Sequence, residues 1–248
     1  MTYRVLLINP NTSPWVTEGL VRQIRQTLPA DTAVRIDAAT ATLGASYIAS
    51  EVAYALAAHA LLDAYAAHFD QHDAVAIGCF GDPGGLALEQ ISPATVIGMA
   101  QASMQEAAAG GKFAIVTGGA AWGPMLRRLA QSLQTDANLT EVIAVDRSAA
   151  EMAQDRPAAI ELLAQACRQA ADQGADQIIL GGAAFAGYGD ELADKTGLAI
   201  IDSVSSFARR LEVEAAQTRL SADVPGNNQA DTARFSGVSP ALLKLLNS

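Results

Sequence analysis

Short apolar runs alternate along the chain with longer segments in which apolar residues recur at helical spacing. Apolar runs of four or five residues, bounded by polar or glycine-rich segments, are typical of buried strands. Strands are predicted at residues 4–8, 33–37, 74–77, 95–98, 113–117, 141–145, 177–180 and 199–201. Helices are predicted at residues 14–27, 50–69, 101–109, 123–133, 157–173 and 203–217. The alternation indicates βα units and parallel sheets.

The eight predicted strands fall into two sets of four, which indicates an α/β fold with two pseudo-symmetric lobes. We expect each lobe to hold a four-stranded, mostly parallel sheet flanked by helices, with a cleft between the lobes. Residues 1–110 form the first predicted lobe, with helix 203–217 packing back on it, and residues 111–202 form the second. Residues 221–248 predict a mobile tail that ends in the short apolar segment 240–246. The sequence leaves open whether that segment docks on the body or on a neighbouring subunit of a homo-oligomer.

One sequence motif occurs twice, about a hundred residues apart. The first copy runs from Asp73 to Cys79, and the second runs from Asp176 to Gly182. Each copy is an acidic residue, an apolar run, a glycine and a small residue, and the copies align without a gap. Cys79 therefore corresponds to Gly182. A duplicated unit with a thiol in one half only indicates an enzyme whose two halves differ in chemistry.

Composition excludes several classes of protein. The 248 residues carry a formal net charge of −10 and no cluster of basic residues, so a nucleic acid or an anionic membrane is not an expected partner. No apolar run is long enough to span a bilayer, and no secretory leader opens the chain. The two cysteines provide neither a disulfide framework nor the spacing of a metal site. We expect a cytoplasmic protein.

Ligands of parallel α/β sheets collect where the strands end, so the loops after the strands are the segments of interest. After the first predicted strand, Asn9, Asn11, Thr12 and Ser13 could hold a carboxylate or an amide, or could cap the helix and close the loop. Ser13 before Pro14 is a favourable helix N-cap. Thr117 and Gly118 could do the same in the second half. These loops lack both the phosphate-binding lysine motif and the dinucleotide fingerprint. No cofactor is implied.

Cys79 ends a predicted strand and is followed by the glycine-rich turn 80–85. Such a turn can direct backbone N–H groups at a thiolate, so we expect the pKa of Cys79 to be lowered. The alternative is a buried structural cysteine, which is common in proteins. Cys167 lies in the middle of a predicted helix and is interpreted as a packing residue. Proton donors beside Cys79 could be Tyr47, Asp82 or Tyr188.

Residues 8–13 (INPNTS) and 78–84 (GCFGDPG) resemble the aspartate/glutamate/hydantoin racemase superfamily, and within it the hydantoin and allantoin racemase branch. The resemblance extends from about residue 3 to residue 217. It implies a cofactor-independent enzyme that binds a small carboxylate or a cyclic amide between two lobes. In the racemases one cysteine removes the proton next to a carbonyl and a second returns a proton to the opposite face. The resemblance makes Cys79 the first of these.

The same resemblance implies a set of substrate-binding residues that belong to both halves of the chain. They are Asn11, Thr12, Ser13, Tyr47, Phe80, Gly81, Thr117, Gly118, Gly182 and Ala183.

The chain departs from the racemase pattern at Gly182, where the second cysteine would fall. A small apolar hollow walled by Ala183, Ala184 and Phe185 is expected there instead. Three alternatives to racemisation therefore stand. A one-cysteine enzyme could decarboxylate a malonate-type acid, or could isomerise a double bond through a covalent Cys79 adduct. A protein of another class could bind a small carboxylate without turning it over.

Overall fold

The computed structural model describes residues 2–146, 152, 154–218 and 235–247, and strands and helices alternate along them. The chain divides into two compact units. The first contains Met1–Gly98 and Ala208–Ser248, and the second contains Met99–Phe207. Within the described ranges, no helix is long and apolar enough to cross a membrane.

The first unit is built on a parallel sheet of four strands in the order β2-β1-β3-β4. The strands are β1 (Tyr3–Asn9), β2 (Val34–Thr40), β3 (Ala74–Ile77) and β4 (Thr95–Gly98). The helices between them are α1 (Pro14–Thr27), α2 (Glu51–Ala67) and α3 (Gly85–Ile91). All four residues of β3 are buried, as expected for a central strand covered on both faces.

The second unit repeats this arrangement with the strand order β6-β5-β7-β8, and its strands are also parallel. The strands are β5 (Phe113–Gly118), β6 (Leu139–Val145), β7 (Gln177–Gly181) and β8 (Ala199–Asp202). Its helices are α4 (Met99–Gly110), α5 (Trp122–Ser132), α6 (Arg156–Asp172) and α7 (Gly189–Thr196), together with a 3₁₀ turn at Ala183–Phe185. The helix α8 (Ser203–Thr218) begins in this unit and continues into the first.

Matching aspartates anchor the duplicated strands. The carboxylate of Asp73 accepts the backbone N–H of Arg4 at 2.7 Å, and the carboxylate of Asp176 accepts that of Lys112 at 2.9 Å. Each aspartate directly precedes a central strand, β3 or β7. Each accepts a backbone N–H from the first residues of the neighbouring strand or from the residue before it. The acidic residue that opens both copies of the motif therefore has the same structural task in each unit.

The predicted α/β architecture is confirmed, and all eight predicted strands are present within three residues of their predicted bounds. The helices α3 and α7 were not predicted. Each has eight residues or fewer and follows a glycine-containing turn, which gives too short a segment for helical periodicity to stand out.

The C-terminal apolar segment forms the helix α9 (Pro240–Leu246), which packs against α2 of its own chain. Ser239 caps this helix by accepting the N–H of Leu242 at 3.2 Å. Leu242 is buried, and Leu245 packs against the core cluster of the first unit. The segment thus docks on the body. Residues 221–234, half of the predicted mobile tail, lie outside the described residues.

Candidate active site

The loop after β1 is organised by the fully buried side chain of Asn9. Its Nδ2 lies 2.9 Å from the Oδ1 of Asn11 and 3.0 Å from the Oγ1 of Thr17. The same Asn11 oxygen accepts the N–H of Ser13 at 2.9 Å. Two asparagines and the first turn of α1 therefore fix the loop, and the half-buried Asn11 uses its carbonyl oxygen within the loop.

The segment 41–50, which follows β2, is attached to this loop. The N–H of Thr12 donates to the carbonyl of Ala45 at 3.0 Å, and the hydroxyl of Ser13 donates to the carbonyl of Ser46 at 2.8 Å. Ser13 occupies the N-cap position of α1, but its side chain makes no capping hydrogen bond. The predicted N-cap position of Ser13 is therefore confirmed, with Pro14 in the first turn, while the hydroxyl holds the neighbouring loop instead of an N–H of the helix.

Tyr47 lies on this attached segment, close enough to Cys79 for the cysteine to act on it electrostatically. Its side chain is 61% exposed. Partial burial of its hydroxyl raises the pKa of Tyr47 above its ordinary value, and the neighbouring Cys79 raises this pKa further. The structure thus brings the predicted Tyr47 and Cys79 together, at the edge of the sheet where β2 and β3 end.

Cys79 follows β3 at the start of a tight turn. The N–H of Asp82 donates to the carbonyl of Cys79 at 3.1 Å and closes the turn. The carbonyl of Gly81, two residues further along, accepts the hydroxyl of Tyr54 at 2.8 Å. Phe80 is buried, so this predicted binding residue supports the turn from within. Gly84 brings the turn so close to α2 that an added Cβ would lie 3.0 Å from the carbonyl oxygen of Ala58.

The surroundings of Cys79 favour the neutral thiol. Part of the residue remains accessible to solvent, but protein atoms surround it densely. Burial raises the pKa of the Cys79 thiol strongly, and the negative charge of Asp82 raises it further. This direction is opposite to the one expected from the sequence. A glycine-rich turn was expected to direct N–H groups at the sulfur, whereas the turn uses the N–H of Asp82 for its own closure.

Asp82 has an unusual backbone conformation, with φ at +47°. The residue is 7% exposed, and its carboxylate lies against Gly98, directly before α4 begins at Met99. A Cβ added at Gly98 would lie 2.3 Å from a carboxylate oxygen of Asp82, so only glycine permits this approach. A left-handed conformation at a residue other than glycine is a strained feature that is common at functional sites.

The corresponding loops of the second unit use their polar groups internally. The hydroxyl of the buried Thr117 donates to the carbonyl of Gly181 at 2.9 Å, so in this conformation it has no hydrogen left for a substrate. Gly118 ends β5 opposite Val145 and is half-buried. Asp202 caps α8, since one of its oxygens accepts the N–H groups of Val204 and Ser205.

Gly182 stands at the same place in the second unit as Cys79 in the first. Ile8 pairs with Ile77 in one sheet and Val116 pairs with Leu180 in the other, and Cys79 and Gly182 each lie two residues beyond. The φ and ψ of Gly182 are +117° and +149°, a combination that is essentially restricted to glycine. Its N–H donates to the hydroxyl of the buried Ser203 at 3.1 Å.

The predicted apolar hollow is only partly present. A Cβ added at Gly182 would meet no described atom within 4 Å, so space is available there. Ala183 is half-buried and begins the 3₁₀ turn. Phe185 is 2% exposed and packs in the core of the second unit, so it does not wall a hollow as predicted.

Sequence reasoning missed Tyr54, which holds the Cys79 turn. Tyr54 was read as part of a helix, and its contact with Gly81 depends on how α2 approaches the turn, which no local pattern reveals. Asn9 lies in the INPNTS motif, but a role inside the loop could not be separated from ligand binding. Among the described residues, no three His, Cys, Asp or Glu side chains are grouped so that they could hold a metal ion.

Comparisons with known proteins agree with this structure. The family model for Asp/Glu/Hydantoin racemase matches residues 5–211. A hydantoin racemase of Paenarthrobacter aurescens is 31% identical over 217 residues, which cover 84% of this chain and 89% of that enzyme.

Two solved structures extend the likeness to the fold. An allantoin racemase from Klebsiella pneumoniae superposes with a TM-score of 0.82 at 25% identity, covering 97% of this chain and 99% of that one. A liganded double mutant of arylmalonate decarboxylase superposes with a TM-score of 0.64 at 18% identity, covering 91% of this chain and 97% of that one, and shows the shared fold. The match of the family model across most of the sequence settles membership: this chain belongs to the Asp/Glu/hydantoin racemase family.

Proposed function

We propose that this chain transfers a proton at the carbon next to a carbonyl in a small carboxylate, an amino-acid derivative or a hydantoin-like ring, with Cys79 as the acid/base. The observation that carries the proposal is the place of Cys79, a partly accessible residue directly after the end of the central strand β3. Ligands of parallel sheets collect at this edge. Relatives named hydantoin racemase and allantoin racemase support a cyclic amide as the substrate class.

The oxygens of such a substrate need hydrogen-bond donors, because the negative charge of the enolate-like transition state develops there. We propose Asn11 and Thr12 for this task, with Tyr47 covering the substrate. Asn11 uses only its Oδ1 in the loop contacts described above, which leaves the amide hydrogens for a ligand. Ser13, Phe80, Gly81, Thr117 and Gly118 act by holding the loops in place. No cofactor takes part in this chemistry.

The proton balance decides which reaction a single thiol can complete. When a Cys79 thiolate removes the α-proton, the electron pair of the C–H bond passes into the enolate and the thiol becomes neutral. If the thiol then exchanges its proton with solvent, delivery of the solvent-derived proton to the same face gives exchange without inversion. Inversion needs a second donor on the opposite face, and Gly182 has no side chain to supply one.

Decarboxylation of a malonate-type acid is the second candidate, and the neutral resting state of Cys79 favours it. Loss of CO₂ breaks a C–C bond and leaves its electron pair in an enolate, so no base is needed. The thiol then protonates the carbon, and the resulting thiolate regains a proton from water. Burial raises the pKa of Cys79 and thus supplies the protonated form that this step requires.

Two measurements on purified protein separate these functions. Incubation of one enantiomer of a 5-substituted hydantoin in D₂O reveals exchange by NMR and inversion by optical rotation. Incubation of an arylmalonate reveals CO₂ release. If the proposal is right, the wild type catalyses exchange or decarboxylation, and Cys79→Ala catalyses neither. A protein that binds both compounds and converts neither would be the non-catalytic binder, and a Cys79 adduct seen by mass spectrometry would indicate double-bond isomerisation.

The cytoplasmic location and a homo-oligomeric state stay predictions. Light scattering of the purified chain tests the second directly.

A further inference from the structure

The peptide group between Gly81 and Asp82 is held at both of its ends. Its carbonyl oxygen accepts the hydroxyl of Tyr54 at 2.8 Å, and its N–H donates to the carbonyl oxygen of Cys79 at 3.1 Å. The carbonyl and the N–H of a trans peptide point in opposite directions. The two hydrogen bonds therefore fix the orientation of one peptide plane, and one of them ends on Cys79 itself.

This orientation is not the one that Asp82 would choose by itself. Its φ of +47° lies in the left-handed region, which is unfavourable for a residue with a Cβ. Turning the peptide over by about half a rotation would bring this φ to a negative, relaxed value. The cost of the left-handed conformation is comparable to the net contribution of one hydrogen bond. The Tyr54 hydroxyl can thus decide which orientation is populated.

The helix α2 contacts the turn at a second point besides Tyr54. Tyr54 and Ala58 are four residues apart and so lie on the same face of α2. Tyr54 bonds to Gly81, while the backbone of Ala58 lies against Gly84, where the chain has φ at +81° and leaves no room for a Cβ. One helix face therefore contacts the turn at two points, on both sides of Asp82.

We propose that Tyr54 is a positioning residue for Cys79: its hydroxyl holds the Gly81–Asp82 peptide in the orientation that places the thiol at the end of β3. The catalytic meaning of this role rests on the function proposed above. Tyr54 does not need to touch the substrate.

The test compares two tyrosines of α2. Tyr54→Phe removes the hydroxyl that reaches the turn, and Tyr65→Phe removes a hydroxyl that donates to Ser92 at 3.1 Å, at the end of α3. Both changes delete a described side-chain hydrogen bond and little volume. The readout is the rate at which iodoacetamide labels Cys79 at pH 8, followed by peptide mass spectrometry. Cys167, which is fully buried in the second unit, reports general unfolding in the same sample.

We expect Tyr54→Phe to label Cys79 about fivefold faster than wild type, the factor that about 1 kcal/mol corresponds to, because a released turn exposes the sulfur. In Tyr65→Phe the labelling rate of Cys79 should stay within about twofold of the wild-type rate. Cys167 should stay unlabelled in both variants. An unchanged rate in Tyr54→Phe, or an equal increase in both variants, would overturn the proposal. Labelling of Cys167 would show that the variant unfolds.

The second arm uses Asp82→Gly, which removes the conformational strain. Glycine adopts a positive φ without cost, so the turn no longer needs the Tyr54 hydroxyl. Adding Tyr54→Phe to Asp82→Gly should then change the labelling rate by less than about twofold. An undiminished fivefold effect in this background would contradict the proposed mechanism. A wild-type protein that shows no proton exchange and no decarboxylation would refute the proposed function. The labelling results would still test the positioning role of Tyr54, because they do not depend on turnover.

Discussion

Cys79 and Asp82 are joined by a backbone hydrogen bond of 3.1 Å that closes the turn after β3. The bond has a chemical consequence, because it keeps an acidic residue in the same turn as the thiol. The carboxylate of Asp82 is held against Gly98, which ends β4. A fixed negative charge near a sulfur opposes thiolate formation. The turn therefore controls both the position and the protonation of Cys79.

Removal of the Asp82 charge should make Cys79 more acidic. Burial is the larger cause of its raised pKa and will remain in Asp82→Asn, but the contribution of the carboxylate will be lost. Asparagine also tolerates a positive φ, so the turn should keep its shape. We expect iodoacetamide labelling at pH 8 to accelerate by roughly tenfold, which corresponds to about 1.4 kcal/mol. The labelling rate measured against pH should show its midpoint at lower pH than in wild type.

The matched control for this change is Asp155→Asn. Asp155 caps α6 in the second unit by accepting the N–H of Ala158 at 3.0 Å, so the variant also loses a charge near a helix N-terminus. Its labelling profile at Cys79 should equal that of wild type. An equal shift in both variants would mean that the effect on Cys79 is not electrostatic.

The raised pKa of Cys79 should also appear in the stability of the protein. Above its ordinary value of 9.0 the thiol loses its proton in the unfolded chain but keeps it in the folded one. Its contribution to stability is thus complete below pH 9 and is lost as the pH rises beyond. We expect the free energy of unfolding of wild type, relative to Cys79→Ala, to fall by up to about 1.4 kcal/mol per pH unit above pH 9. Urea unfolding from pH 7 to 10.5 measures this difference.

Cys167 remains in both proteins of that comparison and cancels from it. Burial raises the pKa of Cys167 to about 11, partly offset by Arg168, so it destabilises the alkaline protein equally in the two. A difference between wild type and Cys79→Ala that stays constant across the pH range would contradict a raised pKa at Cys79.

The backbone conformation at Gly182 should be unfavourable for any residue that has a side chain. Gly182→Ala and Gly123→Ala both add a methyl group where no described atom lies within 4 Å, but only Gly182 has a positive φ. We expect Gly182→Ala to lower the free energy of unfolding by about 1–3 kcal/mol. Gly123 lies inside α5, so Gly123→Ala should stabilise the protein by up to about 1 kcal/mol. Equal effects in chemical denaturation would show that Gly182 is not conformationally restricted.

Gly182→Cys tests whether the second thiol is what the chain lacks. If the missing donor limits inversion, this variant should racemise a 5-substituted hydantoin faster than wild type, provided that it remains folded at the assay temperature. Gly182→Ala carries the same backbone strain without the thiol and is the control. Equal racemisation by the two variants would mean that position 182 is not the site of a second donor.

The docking of α9 on α2 should contribute to stability. Leu242 is 2% exposed in this contact, whereas Leu243 is only half-buried. Leu242→Ala should lower the free energy of unfolding by about 2–3 kcal/mol, and Leu243→Ala should cost clearly less. Thermal unfolding at matched concentration compares the two. A larger loss in Leu243→Ala would place the docking face of α9 on its other side.

The sequence predicted those parts of the structure that depend on local patterns. The run at Ala74–Ile77 is apolar throughout because both faces of β3 are covered, and the strand was located without error. The thiol at its end was identified for the same reason, since strand ends position ligand groups. The short helix α3 was missed because its seven residues include one buried side chain, Leu88, and thus no periodic pattern.

The electrostatics of the site could not be predicted from the sequence. The turn after Cys79 contains the glycines expected of an anion-binding loop. Whether its N–H groups face the sulfur or close the turn depends on one peptide, between Gly81 and Asp82, and that peptide is oriented by Tyr54. Tyr54 is 25 residues earlier in the sequence than Cys79. Only the tertiary structure shows the contact.

Exchange of the α-proton in D₂O tests the role of Cys79 most directly. A single enantiomer of a 5-substituted hydantoin is incubated at pH 7 with wild type, with Cys79→Ala, with Cys167→Ala as the matched cysteine control, and without protein. Exchange should be faster with wild type and Cys167→Ala than without protein, and Cys79→Ala should lose at least about a hundredfold in catalysed rate. A Cys79→Ala protein that exchanges the proton at the wild-type rate would contradict the assignment of Cys79 as the acid/base.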